Sequence, residues 1–272
     1  MTILLLGDLT GRSRVALRML TCELEARGHE VLALPTALIS NTLNLGRAAT
    51  LDTTDYLMES LETWEKLGLT YDALYIGFVT GMAQAEKLCA VADSARERGV
   101  PVVVDPILGD NGRKYNSVSD EQARAMAMLA KHADILTPNL TEACLLADMP
   151  YTEMKVDGDA LHALLKELSE GKRSVLITSA GDAVVGYDAK LGQAINVPFT
   201  RVPGEHWGTG DRFCALLLDG IVRKKTLADA AKGASDGVYD ALTKEGNEPS
   251  PLQKKTERVS MLENPLNPID KV

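Results

Sequence analysis

The segment Gly208-Thr209-Gly210-Asp211 combines residue types that can bind an anion and move a proton. An apolar run over residues 213–218 follows at once and predicts a buried helix. The first backbone N–H groups of a helix have no partners and lie at the positive end of its dipole, so a phosphate can bind there. Asp211 would repel that phosphate, and its placement makes better sense if it takes a proton from a hydroxyl attacking the phosphate. The four residues alone are equally consistent with a glycine turn and an aspartate near a helix N-terminus.

A second candidate, Asp105, directly follows the apolar run over residues 102–104, which predicts a buried strand. In an open α/β sheet the ligand crevice lies beyond the carboxyl ends of the strands, so this carboxylate is expected at the mouth of the crevice. Asp105-Pro106 and Asp110-Asn111-Gly112 are also strong turn formers. A turn is therefore the alternative interpretation of Asp105 and the favoured interpretation of Asp110.

Asn139 and Glu142 follow the next predicted strand, residues 135–137, at the point where a helix is expected to begin. Their spacing fits a capping box, with Asn139 at the N-cap and Glu142 at N3. The capping interpretation does not exclude a ligand, because Asp105 and Glu142 at neighbouring strand ends can hold Mg²⁺ directly or through its waters. A Mg²⁺ ion in that place would face the phosphates of a nucleotide.

Thr178 and Ser179 end a further predicted strand, residues 175–178, where their hydroxyls can contact phosphate oxygens or begin a tight turn. Together with the glycine loop, these clusters supply what phosphoryl transfer requires: donors for the transferred group, a divalent ion and a base. The sequence has no GxxxxGK[ST], which excludes a P-loop enzyme. No GxGxxG follows the first strand, which disfavours a dinucleotide-dependent oxidoreductase.

Short apolar runs that alternate with amphipathic stretches must position these residues. The runs predict buried strands at residues 3–6, 31–34, 73–79, 102–104, 135–137 and 175–178. Continuous apolar strands separated by helices predict an α/β fold with a mostly parallel central sheet and helices on both faces. An antiparallel hairpin is expected at one edge of the sheet, formed by residues 183–187 and 194–199.

The stretches between these strands have helical spacing and helix-ending residues. Four residues are expected to share one helical face: Leu57, Leu61, Trp64 and Leu67. Four glycines stand where helices are expected to end: Gly28, Gly68, Gly99 and Gly171.

Length, composition and charge limit the classes of protein that the chain can be. Its 272 residues, 45% hydrophobic and 25% charged, fit one large α/β domain or two small ones. The net charge of −9 argues against nucleic acid or an anionic membrane as a partner. No apolar run approaches a membrane span or a secretion signal. The cysteines show no CxxC spacing and are interpreted as buried core thiols in a reducing cytoplasm: Cys22, Cys89, Cys144 and Cys214.

In these motifs the chain resembles the ribokinase superfamily and, within it, the pyridoxal kinase group of vitamin B6 kinases. The resemblance rests on the Gly-Thr-Gly-Asp loop, on Asp105-Pro106, and on Thr137-Pro138-Asn139 with Glu142. The segments most similar to bacterial pyridoxal/pyridoxamine kinases are residues 104–115, residues 203–208, and Leu34-Pro35-Thr36 with Ser40.

The resemblance covers residues 1–245 and implies a single kinase domain with the three-layer sandwich of ribokinase-like proteins. Residues 246–272 contain four prolines and little periodicity, so they are expected to form an extended tail.

The resemblance also implies roles for single residues. Asp211 would be the base that activates the substrate hydroxyl, and Asp105 and Glu142 would serve Mg²⁺ and its waters. The anion hole for the γ-phosphoryl group of ATP would be formed by the N–H groups of Gly208, Thr209 and Gly210. Nucleotide contacts would come from Asn139 at the phosphates and from Thr178 and Ser179.

The positions that would face the vitamin depart from the family pattern. Asp8 and Thr10 stand where the family usually carries a serine-containing loop after the first strand. The family's Ser-x-His-Thr-Gly is replaced by Ser40-Asn41-Thr42-Leu43-Asn44, and its Gly-Tyr-x-Gly-Ser by Gly77-Phe78-Val79-Thr80-Gly81. The substrate-binding residues are predicted to be Asp8, Thr10, Ser40 and Phe78. Losing a Tyr hydroxyl, a His and a Thr removes groups that orient a polar ring, which changes discrimination between substrates.

The activity that the resemblance implies is an ATP- and Mg²⁺-dependent phosphotransferase of vitamin B6 salvage. Its substrate would be the 5′-hydroxymethyl group of pyridoxal, pyridoxamine or pyridoxine, and it would act as a cytoplasmic homodimer without nucleic-acid or membrane partners. Two alternatives stay open: a kinase for another hydroxymethyl heterocycle such as hydroxymethylpyrimidine, and a non-catalytic relative that binds a nucleotide or vitamer. The intact loop and Asp211 argue against the non-catalytic relative.

Overall fold

The computed structural model describes residues 1–43, 48–152, 158–204 and 206–244. The expected tail, residues 246–272, lies outside the described residues, as do Asn44 and Glu205 of the sequence motifs. The helices are Leu17–Glu25 (α1), Thr54–Lys66 (α2), Met82–Glu97 (α3), Asp120–Ala130 (α4), Leu140–Leu146 (α5), Asp159–Ser169 (α6), Thr209–Val222 (α7) and Leu227–Lys244 (α8). The strands are Thr2–Thr10 (β1), Glu30–Ile39 (β2), Thr50–Asp52 (β3), Ala73–Ile76 (β4), Val102–Val104 (β5), Gly109–Asp110 (β6), Arg113–Lys114 (β7), Ile135–Leu136 (β8), Ser174–Ala180 (β9), Ala183–Asp188 (β10) and Gln193–Pro198 (β11).

The main sheet has nine strands in the order β11-β10-β9-β8-β5-β4-β1-β2-β3. Its six inner strands run parallel, from β9 at one side to β2 at the other. The hairpin β10–β11 and the short strand β3 add antiparallel edges. The mostly parallel sheet and the edge hairpin predicted from the sequence are confirmed, and the carboxyl ends of the parallel strands meet along one edge.

Helices cover both faces of the sheet, which gives the expected three layers. On β1, Ile3 and Leu5 pack against residues of α1, α7 and α8. Leu4 and Leu6 point to the opposite face, where they pack with residues of α2 to α6. A strand buried on both faces needs apolar residues at consecutive positions, which is why its sequence reads as a continuous apolar run.

Strand ends at the crevice differ from the sequence prediction. β1 and β2 continue to Thr10 and Ile39, because their parallel pairing extends past Gly7, Asp8, Pro35 and Thr36, which interrupt the apolar runs. β4 ends at Ile76, so residues 77–79, expected to be strand, belong to the loop before α3. β3, β6 and β7 have two or three residues each, too few to show a period in the sequence.

The predicted turn at Asp110 is confirmed as the two-residue connection of the β6–β7 hairpin. Asn111 and Gly112 have φ values of 51° and 74°, the left-handed conformations that such a turn requires. In α2, Leu57 is buried and Leu61 and Trp64 are partly buried, as expected. Leu67 is 69% exposed and follows the last helical residue, so its predicted place on the helical face shared with Leu57 is wrong.

The four glycines expected to end helices all have positive φ values, between 66° and 80°. All four cysteines are free, and three are buried as expected. Cys22 is exposed on α1, so the prediction of a core thiol is wrong there. Within the described ranges, none of the helices combines the length and the apolar character needed to cross a membrane.

Candidate active site

Helix α7 begins directly after Gly208, in the loop predicted to bind an anion. Gly208 is the N-cap with a φ of 77°, and a Cβ there would lie 2.9 Å from the Arg14 carbonyl oxygen, so glycine is required. At Gly210 a Cβ would meet no atom within 4 Å. The first N–H groups of a helix have no intrahelical acceptors, and the turn borders open space at Gly210. That arrangement suits an anion.

Asp211 lies in the first turn of α7 and is only 9% exposed. The backbone N–H of Ala16, just before α1, donates to its carboxylate. Burial raises the pKa of Asp211 above its usual value, and the Ala16 hydrogen bond offsets part of that rise. Ala16 has a φ of 50°, a strained conformation for a residue with a Cβ. A buried carboxylate with a raised pKa beside an anion site suits a general base.

Asp105 follows β5 as predicted, and neighbouring side chains hold its carboxylate. The Tyr75 hydroxyl donates to Oδ2 at 3.0 Å, and the Thr137 hydroxyl donates to Oδ1 at 3.2 Å. The Cys214 thiol of α7 lies 3.4 Å from Thr137 Oγ1 and also hydrogen-bonds to Asp105. Burial and then the nearby Asp211 raise the pKa of Asp105 to about 7. The structure therefore brings Asp105 and Asp211 into one buried acidic region.

Asn139 and Glu142 form the predicted capping box at the start of α5. The Asn139 Oδ1 accepts from the Glu142 N–H, and the Glu142 Oε2 accepts from the Asn139 N–H, both at 2.9 Å. Glu142 Oε1 also accepts from the Leu108 N–H at 3.2 Å, and the Asn139 amide donates to the Gly109 carbonyl at 2.8 Å. Both side chains therefore hold the loop after β5, close to Asp105.

The acidic side chains fit a divalent cation that keeps its waters. Burial and then the charge of Asp105 raise the pKa of Glu142 well above its usual value, and a cation would relieve this repulsion. Among the described residues, no group of three or more His, Cys, Asp or Glu side chains is placed to bind a metal ion directly. Because backbone N–H groups already occupy the Glu142 carboxylate, Asp105 and Glu142 suit a largely hydrated Mg²⁺.

Thr178 and Ser179 lie inside β9 and are half-buried. They are among the last three residues of the strand, as predicted, although pairing with β10 extends β9 to Ala180, two residues beyond the predicted bound. The Thr178 N–H donates to the Pro138 carbonyl oxygen at 2.9 Å, so this part of β9 borders the strand end that leads to Asn139.

Asp8 and Thr10 stand two residues apart near the end of β1, which puts their side chains on one face of the strand. Burial and then the nearby Asp211 raise the pKa of Asp8 to about 7, so Asp8 lies within electrostatic reach of the candidate base. The buried Thr10 hydroxyl has no hydrogen-bond partner in the described part of the chain. Buried hydroxyls normally have one, and a bound ligand would supply it.

The two other predicted substrate residues lie on different segments. Phe78 is buried in the loop after β4 and packs with Ala37 and Ile39 of β2. Ser40 is exposed; its hydroxyl donates to the Asn41 side chain at 2.7 Å and accepts from the Ala49 N–H at 3.0 Å. Ser40 and Thr10 border one surface cavity of about 500 Å³, whose lining does not include Asp8 or Phe78. The structure thus groups Asp8 with Asp211 and Thr10 with Ser40.

Three residues that hold the carboxylates carry no signal in the sequence. Tyr75 lies within the apolar strand β4, and Cys214 lies within the apolar part of α7. Ala16 acts through its backbone N–H, which any residue except proline provides. Only the folded chain shows that these groups meet Asp105 and Asp211.

The sequence pattern of the family described as Phosphomethylpyrimidine kinase matches residues 32–256 of the chain. This range is more than half of the sequence and contains Asp105, Glu142 and Asp211. The chain belongs to this family.

Relatives of this phosphomethylpyrimidine kinase family member include a pyridoxine/pyridoxal/pyridoxamine kinase of Bordetella avium. It is 29% identical over 231 residues, which are 80% of this chain and 77% of that protein. A Schizosaccharomyces pombe relative is 30% identical over 221 residues, 74% of this chain. The chain spans 62% of the length of this relative and 48% of that of a Caenorhabditis elegans relative, less than two thirds of either.

Among solved structures, the phosphomethylpyrimidine kinase family member is similar to a Bacteroides thetaiotaomicron protein crystallised with pyridoxal. The two superimpose with a TM-score of 0.84 at 29% identity, over 91% of this chain and 89% of that chain. The ribokinase-like fold predicted from the sequence is thereby confirmed.

Proposed function

We propose that this chain is an ATP- and Mg²⁺-dependent kinase that phosphorylates the 5′-hydroxymethyl group of pyridoxal, pyridoxamine or pyridoxine. The observation that carries the proposal is Asp211, a buried carboxylate with a raised pKa in the first turn of α7. It lies next to Gly210, where the turn borders open space. A base and a set of phosphate-binding N–H groups are thus available in the same turn.

In the proposed reaction the Asp211 carboxylate takes the proton of the substrate hydroxyl. The hydroxyl oxygen bonds to the γ-phosphorus of ATP as the bond to the β–γ bridging oxygen breaks and ADP leaves. The N–H groups of residues 208–210 stabilise the negative charge of the transferred group. Asp105 and Glu142 would hold Mg²⁺ through its waters, and the bound ion supplies positive charge that offsets the phosphates. The nucleotide contacts are assigned to Asn139, Thr178 and Ser179.

Two findings favour a vitamin B6 vitamer as the alcohol. The Bordetella avium relative is named for all three vitamers, and the Bacteroides thetaiotaomicron structure was solved with pyridoxal. Hydroxymethylpyrimidine is the second candidate, because the family is described as phosphomethylpyrimidine kinase. Both alcohols carry a hydroxymethyl group on a nitrogen heterocycle, so the same base can serve either one.

A panel of alcohols assayed by ADP release tests the proposal, with pyridoxal, pyridoxamine, pyridoxine and hydroxymethylpyrimidine each supplied with ATP and Mg²⁺. We expect kcat/KM for at least one vitamer to exceed the value for the pyrimidine. Turnover of hydroxymethylpyrimidine alone would contradict the vitamin B6 assignment and support a hydroxymethylpyrimidine kinase. Nucleotide binding without turnover of any alcohol would support the non-catalytic relative instead.

We also propose that residues 1–245 form one kinase domain and that the enzyme is a cytoplasmic homodimer. The family resemblance supports the dimer, and four free cysteines suit a reducing compartment. Among the described residues, β3 is an edge strand of the sheet, and its Leu51 is 60% exposed. Sedimentation velocity should show twice the chain mass of 29.3 kDa, whereas a single species at the chain mass would contradict the dimer.

A further inference from the structure

Two of the four predicted alcohol-binding residues lie on two segments of the chain: Ser40 directly after the end of β2, and Phe78 in the loop of residues 77–81 between β4 and α3. Phe78 of the loop packs with Ala37 and Ile39 of β2. All three are at most 3% exposed, so the contact is a closed apolar one. The separation of the two segments therefore affects where Phe78 lies relative to the end of β2.

Gln84, near the start of α3, joins the same two segments through hydrogen bonds. Its side-chain amide donates to the Thr36 carbonyl oxygen of β2 at 2.8 Å and to the Thr54 hydroxyl of α2 at 2.9 Å. Its Oε1 accepts from the Thr80 N–H of the loop at 3.0 Å. Gln84 is 2% exposed, and a buried amide with these partners fixes the backbone that it touches. One side chain thus connects β2, α2 and the loop.

Further contacts strengthen the same connection. The Thr80 hydroxyl donates to the Asp52 carboxylate of β3, and Asp52 Oδ1 accepts from the Thr54 N–H at 2.8 Å. On the other side of the loop, the Gln122 amide of α4 donates to the Val79 carbonyl oxygen at 3.2 Å. The loop is therefore held from two sides, and Gln84 also reaches β2 at Thr36, next to the Ala37 that packs with Phe78.

We infer that Gln84 is a positioning residue for the alcohol substrate, because it holds the end of β2 and the loop of residues 77–81 at a fixed separation. This inference rests on the proposed function. Gln84 acts through the backbone of Thr36 and Thr80 and belongs to a helix on the face of the sheet opposite α7. Losing it should weaken binding of the alcohol while leaving Asp211 and the phosphate-binding turn in place.

Gln84→Leu tests the inference, since it keeps the approximate volume of the side chain and removes all its hydrogen bonds. We expect KM for the alcohol to rise about tenfold, with kcat within about threefold of the parent and KM for ATP unchanged. Equilibrium dialysis of the alcohol without ATP should show the same loss of affinity. Gln84→Glu keeps an acceptor for the Thr80 N–H but loses the donors to Thr36 and Thr54, so a rise in the same direction is expected.

Gln193→Leu is the matched control, because Gln193 is exposed on β11 at the opposite edge of the sheet. It should leave every parameter unchanged. If Gln84→Leu does not fold, Gln84→Glu decides the question. An unchanged KM and affinity for the alcohol in a folded Gln84 variant would overturn the positioning role, as would equal losses for alcohol and ATP. Absence of turnover by the parent enzyme would instead overturn the proposed function on which the role rests.

Discussion

Among single residues, Asp105 shows how neighbouring side chains fix a carboxylate of the candidate site. Its carboxylate is held from two sides by the hydroxyls of Tyr75 and Thr137. Tyr75 is fully buried, so its ring is fixed by packing and its hydroxyl has one well-defined position. A carboxylate that is fixed in this way can orient the waters of a cation without first becoming ordered itself.

Tyr75→Phe removes the hydroxyl that donates to Asp105 Oδ2 and leaves the packing of the ring intact. Because one hydrogen bond to a charged group is lost, we expect kcat/KM for Mg-ATP to fall about tenfold. Initial rates over a range of Mg-ATP concentrations measure the effect. Tyr71→Phe makes the same chemical change at a tyrosine that hydrogen-bonds to Arg98 at the surface, and it should have no effect. Parent-like kinetics for Tyr75→Phe would show that Asp105 does not need this support.

The sequence predicts Asp105 because a polar residue directly after an apolar run stands out, and Asp211 because it ends a glycine loop just before an apolar helix. Tyr75 stands within an apolar strand, where an aromatic residue looks like ordinary core, and only the fold reveals its polar contact. Asp8 was predicted from its departure from the family pattern, and the structure adds its electrostatic coupling to Asp211. Roles for these residues in binding and catalysis stay predictions.

Among the elements, the N-terminus of α7 contains two glycines that play different parts. Gly208 has a φ of 77° and close contacts around its missing Cβ. Gly210 has open space around it. Alanine substitutions at the two positions therefore separate an effect on the folding of the turn from an effect on its proposed phosphate binding.

Gly208→Ala should lower the free energy of unfolding by about 1–3 kcal/mol, because a Cβ is strained at positive φ and collides with the Arg14 carbonyl. Gly210→Ala should leave the free energy of unfolding unchanged within about 0.5 kcal/mol and still reduce kcat, since its methyl group enters the open space. Urea unfolding and ADP-release rates measure the two effects. Equal stability of the two variants would contradict the structural difference, and parent-like kcat for Gly210→Ala would contradict phosphate binding at this turn.

Elements whose stability is local were easier to predict than elements formed by pairing. The capping box of Asn139 and Glu142 was correct because it involves residues three apart in one turn. The end of β9 was placed too early because its last residues are strand only through pairing with β10. The same holds for β3, which exists as a partner of β2 and has three exposed residues.

Over the whole molecule, burying several carboxyls near one another ties stability to pH. Burial raises the pKa of Asp8 from 3.8 to about 7. Between these two pKa values, Asp8 keeps its proton in the folded chain, whereas it has released the proton in the unfolded chain. The contribution of protonated Asp8 to the free energy of unfolding is fully present below its unfolded pKa of 3.8. It is lost as pH rises through its folded pKa of about 7.

Asp8→Asn replaces this group by a neutral side chain of the same shape. At pH 8 we expect its free energy of unfolding to exceed that of the parent by roughly 2–4 kcal/mol, with the difference disappearing towards pH 4. Urea unfolding between pH 4 and pH 8 measures the change. Asp236→Asn is the control, because Asp236 is exposed on α8 and pairs with Lys232 at the surface. A difference that does not depend on pH would show that Asp8 is not a buried ionisable group with a raised pKa.

The overall architecture was predictable because alternating apolar runs and helices allow few arrangements. Strands buried on both faces leave a clear apolar signal, and their carboxyl ends fix where the site must lie. The signal is weaker towards the sheet edge, where β2 and β3 are partly exposed, and the predicted substrate residue Ser40 directly follows β2. The alcohol side of the site is therefore the part for which the sequence is least informative.

The measurement that bears most directly on the proposed chemistry compares Asp211→Asn with the parent enzyme in turnover and in ATP binding. A base acts mainly in the transition state, so kcat should fall about 10²–10⁴-fold while ATP affinity changes little. Melting temperature should not decrease, since the variant removes a buried ionisable group. Retained turnover, or losses of ATP binding and turnover in equal proportion, would contradict the assignment of Asp211 as the base.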